Sequence, residues 1–253
     1  MDKNTKIIEA IILKTEPAKE NDVKVLVYSR EEGKLFLSMK GALRASSKLI
    51  GHVQPLSFST LMIISGKQGD YIGSAKNIET YLNIRDNFKR LQLAGLSARL
   101  FSCLLKTNQS DQAMFFLIKS WLDFLNTDEL SLDDINFKLY SLAFNLKFIS
   151  LLGLFPDITL CSYCRKPLSN CQELYYFSKE QGAFSCSKNH NSQDAKLSLN
   201  SLKLMKFLAL EDFQDINRLL VSKEDVISLS EAVRDYMIYE FKDSLKDELV
   251  SFF

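Results

Sequence analysis

No run of apolar residues in this 253-residue chain approaches the roughly 18 that a membrane-spanning helix requires, so no membrane span is expected. The opening stretch MDKNTKIIEAIILKTE is too polar, and too soon charged again, to read as a secretory signal. Histidine occurs only twice, and neither copy has a motif partner for nucleophilic catalysis; a G-x-S-x-G elbow is also missing. No G-x-x-x-x-G-K-[ST] loop is present to cradle a nucleotide, so P-loop ATP hydrolysis is not indicated. The expectation is a cytoplasmic protein with no enzymatic activity and no small-molecule substrate. In such a compartment, clustered cysteines are more often metal ligands than disulfides, and four of the five cysteines here fall between residues 161 and 186.

What is present is unevenly distributed. Six of the nine glycines lie between Gly33 and Gly73. The segments 6–14, 22–29, 34–40, 58–65 and 70–75 read as short strands separated by glycine-containing turns. In DVKVLVYS, Val23, Val25 and Val27 share one face while Lys24, Leu26 and Tyr28 share the other. Five short strands in so little chain fit a small closed barrel of OB-fold or SH3-like type, which leaves no open sheet edges. After Tyr81 the period changes to three and four: Leu93, Leu96, Leu100 and Leu104; Phe115, Ile118, Leu122 and Leu125; Leu139, Leu142, Leu146 and Ile149. Cys103 and Trp121 are expected in the core of these helices. Ser222 and Asp225 resemble a capping pair before a last helix carrying Leu229, Val233 and Met237. Asp133 and Asp134 sit where a helix start favours negative charge. The expected division is a barrel over 1–80, a helical bundle over 81–155, a cysteine-rich insertion over 156–195, and C-terminal helices over 196–253 that complete the helical domain.

Asp and Glu are absent from Gly33 through Gly69, whereas Lys34, Lys40, Arg44, Lys48 and Lys67 are present. One sign of charge concentrated on a small barrel is the footprint expected for a phosphate backbone, and these five cations are the candidate DNA-binding residues. Lys40, Arg44 and Lys48 are four apart, so a partly helical loop would align them. Phe36, Phe58 and Tyr71 are candidate stacking surfaces if they face outward. His52 is expected to be an ordinary surface residue.

Cys161-x-x-Cys164 has the spacing of a metal knuckle, and a β-like run, a KEQG turn and AFSC then return Cys186 toward it. Cys186-x-x-x-His190 would close the set, giving Cys161, Cys164, Cys186 and His190 around one structural Zn²⁺ per chain. Cys171 competes for the fourth position. No H-x-E motif precedes the cysteines, so a closed structural site is expected in preference to a catalytic one.

The stretch EAIILKTEPAKENDVKVLVYSREEGKLFLSMKGALRASSKLIGHVQPLSF, with Glu20 and Asp22 before the second strand, Gly33-Lys34 at a turn and Lys40-Gly41 opening a basic loop, resembles the bacterial recombination mediator family RecO. LLGLFPDITLCSYCRKPL resembles that family's lead into its Cys-x-x-Cys more weakly. The pattern departs where the family has paired glycines and a second Cys-x-x-Cys: Gln181-Gly182 and Asn189 stand there instead, with His190 adjacent. The resemblance implies an α+β multi-domain protein, with a five-stranded OB-fold barrel followed by a mostly α-helical domain carrying an inserted zinc-ribbon-like hairpin. It further implies binding of single- and double-stranded DNA, annealing without ATP, a nucleoid-associated location, and work with the partner RecR to load recombinase onto strands coated by single-strand-binding protein. Arg85, Lys89, Arg90 and Arg99 are expected to meet that coat's acidic tail. The competing readings are a zinc-dependent enzyme acting on nucleic acid, which metal-dependent turnover would reveal, and an OB-fold adaptor for a protein partner, whose affinity would ignore salt.

Overall fold

Strand β1 (Thr5–Pro17) is long enough to serve two neighbours, pairing antiparallel with β4 (Phe58–Ile64) over its first part and with β2 (Val23–Ser29) over its second. The register shifts between Ile12 and Lys14, so Leu13 is an extra residue that bends the strand. β2 turns into β3 (Gly33–Met39), β3 meets β5 (Tyr71–Glu79) in parallel at Ser38–Tyr71, and β5 pairs with β4. The barrel closes in the order β1-β2-β3-β5-β4, the expected OB-fold. The computed structural model describes residues 5–19, 21–44, 47, 49–67, 69–168, 174–186 and 191–242. The chain forms two compact units, Met1–Asp128 and Glu129–Phe253. The helical segment expected over 81–155 is therefore divided between them.

Alternation fills the barrel: Val23, Val25 and Val27 of β2 point inward with Leu35, Leu37 and Met39 of β3. Outward-facing residues are not uniformly solvated. Ile11, Leu13, Leu26 and Tyr28 are buried too, and α-helices of the same unit lie against β1 and over Tyr28. α1 (Leu82–Arg85), α2 (Phe88–Leu104) and α3 (Gln112–Leu125) supply this cover. Tyr28 meets Phe101 edge-on at 5.0 Å, and Phe58 lies 6.1 Å from Phe115. α2 and α3 start where Asn87 and Asp111 accept backbone N–H groups three residues on. The buried face of α3 carries Phe115, Ile118, Leu122 and Leu125 as expected, together with Trp121. On α2 the face is rotated from the leucine stripe: Ala94, Ser97, Ala98 and Phe101 are buried with Leu93 and Leu100, while Leu96 and Leu104 are half-buried. Small residues permit a close approach that a leucine-only pattern does not foresee. Cys103, expected in the core, is exposed.

In the second unit α4 (Asp134–Leu151) is capped by Asp133 and buries Leu139, Leu142, Leu146 and Ile149. β6 (Leu174–Ser178) and β7 (Ala183–Cys186) form the expected hairpin, and β8 (Ala195–Ser198) adds a third strand on the other side of β6. α5 (Leu199–Leu210), α6 (Phe213–Ile216) and α7 (Lys223–Glu240) follow. The capping pair behaves differently from expectation. Ser222 makes no side-chain cap bond, and Asp225 instead accepts the hydroxyls of Ser198 at 2.5 Å and Ser201 at 2.8 Å, tying the start of α5 to that of α7. Tyr236 joins sheet and helices: its ring meets Phe177 at 5.5 Å, and its hydroxyl donates to Leu154 O at 2.9 Å.

Gly33 is required twice over, by φ +72° and by a Cβ that would fall 1.8 Å from Gln109 O. Gly33→Ala is expected to destabilise the protein by more than about 1 kcal/mol, because neither strain nor overlap has an outlet. The urea midpoint checks this; an unchanged midpoint would mean that the backbone at Gln109 yields freely.

Candidate nucleic-acid face and metal centre

α2 and α3 cover the barrel's outer surface at Tyr28, Lys34 and Phe58, whereas other outward residues are exposed. β3 presents Phe36 and Ser38 outward, one residue in two, and Lys40 is exposed in the turn that follows Met39. Register sets Lys24 opposite Ser38, and Ser38 in turn beside Tyr71. The Lys40 ammonium lies over the Tyr71 ring at 5.1 Å, a cation–π contact that positions the charge without neutralising it. The loop after β3 is held by the β1–β2 connection: Gly41 N donates to Asp22 Oδ1 at 2.7 Å and Leu43 N to Asn21 O at 2.9 Å. Asp22, noted in the sequence for its position, is thus an anchor for Lys40. Arg44 and Lys67 are exposed, the latter in the turn before β5.

The five proposed cations do not share one environment. Lys34 is buried at 6% exposure and its Nζ donates to Ser102 O at 2.8 Å; burial pushes its pKa down. An ammonium enclosed under α2 does not reach a phosphate, and Lys34 is accordingly a structural residue. Arg44 N bonds Gly41 O and Ser47 N bonds Arg44 O, so the loop after Lys40 forms successive turns, and the helical alignment expected for Lys40 and Arg44 is not found. Lys48 lies outside the described residues. Lys24 escaped the sequence reading because it precedes the acid-free segment; the alternation of β2 already put it on the outer face. Phe58 is buried under Phe115, Phe36 is exposed, and His52 is exposed as expected.

Two of the cations expected to meet an acidic tail are engaged within the fold. Arg90 is 7% exposed and donates to Leu125 O at 2.9 Å, Thr127 O at 2.6 Å and Asp128 O at 3.3 Å. It caps the C-terminal end of α3, where carbonyls lack helical partners and the dipole favours positive charge. Arg85 donates to Thr80 O at 2.8 Å and Pro55 O at 2.7 Å.

In the second unit the thiol sulfurs of Cys161, Cys164 and Cys186 lie within 4.8 Å of one another. The knuckle is a tight turn: Arg165 N bonds Cys161 O at 3.0 Å with Arg165 in the left-handed region at φ 59°. Ser162 N donates to Phe184 O at 2.8 Å and fastens the knuckle to β7. Burial raises the Cys161 pKa, but N–H groups of Cys164, Cys186 and Tyr163 outweigh it and bring the thiol down to about 7. Three converging sulfurs, one already favoured as thiolate, form a donor set for a thiophilic metal ion. His190 and Cys171, the rivals for a fourth position, lie outside the described residues.

A closed β1-β2-β3-β5-β4 barrel, helices laid over part of it, and a cysteine knuckle facing a hairpin define an OB-fold protein with a helical domain and an insertion whose three cysteines could hold a metal ion. Residues 1–81 match the family description "Recombination protein O N terminal" and residues 85–248 match "Recombination protein O C terminal". The chain belongs to the recombination protein O family. It is similar to "DNA repair protein RecO" of Alkaliphilus metalliredigens, 27% identical over 232 residues that cover 91% of each chain. It is also similar to the protein of that name from Thermoanaerobacter sp. (strain X514), 29% identical over 92% of this chain and 93% of the relative. The likeness to the Dehalococcoides mccartyi (strain CBDB1) protein is 26% over 89% and 87%. α2 and α3 fall in the C-terminal family segment yet pack in the barrel's compact unit.

Arg90→Met is expected to lower stability by about 2–3 kcal/mol, since three carbonyls lose a charged donor. DNA affinity and its salt dependence should stay unchanged wherever the variant is folded. Thermal melting with binding titrations checks both halves; weakened binding by a folded variant would put Arg90 on the interface.

Proposed function

We propose that this protein serves DNA repair and recombination by binding single- and double-stranded DNA on the exposed face of its barrel and annealing complementary strands without ATP. Its relatives carry the name DNA repair protein, and family membership supports the same role here. The observation that carries the reading is that Lys24, Lys40, Arg44 and Lys67 are exposed on an OB-fold barrel. Annealing breaks no covalent bond. Two polyanions repel until their phosphates are neutralised, so a surface that releases counterions while leaving base edges free lowers the barrier to pairing. As implied by the resemblance to its family, the protein would act with RecR to load recombinase on strands coated by single-strand-binding protein.

The metal centre has a structural part in this reading. We assign one Zn²⁺ to Cys161, Cys164, Cys186 and His190, with Cys171 as rival for the last place. A bound zinc supplies a crosslink between the knuckle and the end of β7, and the backbone N–H groups on Cys161 hold its thiolate ready.

Alanine at Lys40, Arg44 and Lys67 together is expected to weaken binding alike across sequences. The slope of log affinity against log salt should fall by about 2 on single strands and about 3 on duplex. Annealing of bare and of coated strands without ATP should slow in parallel. An unchanged slope would move the DNA surface elsewhere, and wild-type affinity indifferent to salt would favour the protein adaptor.

For the metal, Cys161→Ser and His190→Ala are expected to remove stoichiometric zinc while Cys171→Ser retains it; elemental analysis decides, and the reverse pattern reassigns the fourth ligand. Zinc affinity should drop as pH falls below about 7, where protons compete for Cys161. The sign is the same in metal-free protein. A thiol whose folded pKa lies below its unfolded one adds stability that is full above the unfolded value and lost as pH falls through about 7.

A further inference from the structure

We propose that Phe36 is the platform on which one unpaired nucleobase stacks, and that it makes this face select single strands over duplex. The inference rests on the reading of the barrel as a DNA-binding module and adds to it the residue that distinguishes strand states. Three aromatic side chains were candidates by sequence. Phe58 is 8% exposed beneath Phe115, with the Lys119 ammonium 5.2 Å from its ring. Tyr71 already carries the Lys40 ammonium. Phe36 is 66% exposed and has no ring or cation partner among the described residues.

Its position suits a nucleotide. Leu26, directly opposite on β2, is buried. Lys24 stands opposite Ser38, the next outward residue of β3 after Phe36, and Lys40 is exposed just past the end of that strand. A base laid on the ring would have apolar surface behind it and ammonium groups toward its phosphates. Charge selects this occupant over an apolar protein side chain, since Lys24 and Lys40 are both exposed beside this row and Lys40 has its ammonium on a ring and, among the described residues, not on a carboxylate.

Stacking needs a free π-face, which every unpaired base offers and a base inside a duplex has given to its neighbours. Phosphate contacts remain possible for both forms. The ring contact is therefore surrendered when a held strand pairs, and the annealed product leaves more readily than either reactant strand.

Two substitutions test this on the full chain. Trp121 is the only native tryptophan and is 1% exposed, so in Phe36→Trp the added indole reports the site. Its emission is expected to be quenched by oligo-dT and unaffected by a blunt hairpin duplex at equal phosphate concentration. Phe36→Leu keeps an apolar side chain without a π-face. It should weaken single-strand binding by about 5- to 150-fold, leave duplex binding within about twofold, and be rescued by Phe36→Tyr. Unquenched indole on a bound single strand, or equal changes for both DNA forms in Phe36→Leu, overturns the role of Phe36. Wild-type protein without salt-dependent DNA binding overturns the DNA reading itself.

Discussion

At the seam between barrel and α2, the Tyr28 ring meets Phe101 edge-on at 5.0 Å and the Lys34 ammonium reaches Ser102 O at 2.8 Å. A five-stranded barrel has an outer surface as well as an interior, and in an isolated barrel its apolar outer residues would face water. Here α2 lies against β1 and over Tyr28, and α3 over Phe58. Burial pushes the Tyr28 hydroxyl up to about 12, with the nearby Asp111 charge acting in the same direction, so Tyr28 is held neutral in this seam. The exposed face of the barrel begins where this cover ends. Lys34 and Phe36 are two residues apart on the same side of β3, yet one lies under a helix and the other is exposed.

Cations in this protein do two kinds of work. Arg90 crowns the C-terminus of α3, and Lys147 donates to Ala209 O and Glu211 O at the end of α5 while lying 5.4 Å from the Phe213 ring. Both meet carbonyls in place of carboxylates. A buried guanidinium or half-buried ammonium is tolerated there because the helix end supplies unpaired acceptors and a favourable dipole. Lys24, Lys40, Arg44 and Lys67 differ in remaining exposed. Exposed lysines and arginines lose little by exchanging water for phosphate, whereas Arg90 would have to abandon three carbonyls.

The cysteine hairpin shows the same economy of anchoring. Knuckle and strand end are already joined by Ser162 N to Phe184 O, and the Cys161 sulfur already accepts N–H groups from Cys164 and Cys186. Gly182, at φ +58°, brings the hairpin turn so close to α7 that a Cβ there would fall 3.0 Å from the Tyr236 hydroxyl. The sheet is thus tied to the helical scaffold by Tyr236 independently of the sulfurs, and a metal would act where the knuckle meets the end of β7.

Much of this was legible along the chain because it depends on local periods and spacings. Alternation placed the barrel strands, three-and-four repeats placed α3 and α4, and Cys-x-x-Cys with a returning AFSC placed three sulfurs that converge. The family resemblance narrowed the barrel to an OB-fold where alternation left OB-fold or SH3-like, and the strand order came from the structure. Tertiary structure decided the environment of each polar side chain. Lys34 and Lys40 are alike in an acid-free segment, and only the lie of α2 separates an enclosed ammonium from an exposed one. Ser222 and Asp225 have capping spacing, but Asp225 turns to two serine hydroxyls brought near by another helix. Periodicity records which face of an element is apolar. Which polar groups find partners depends on elements distant in sequence, because hydrogen bonds and desolvation act over a few ångströms of space.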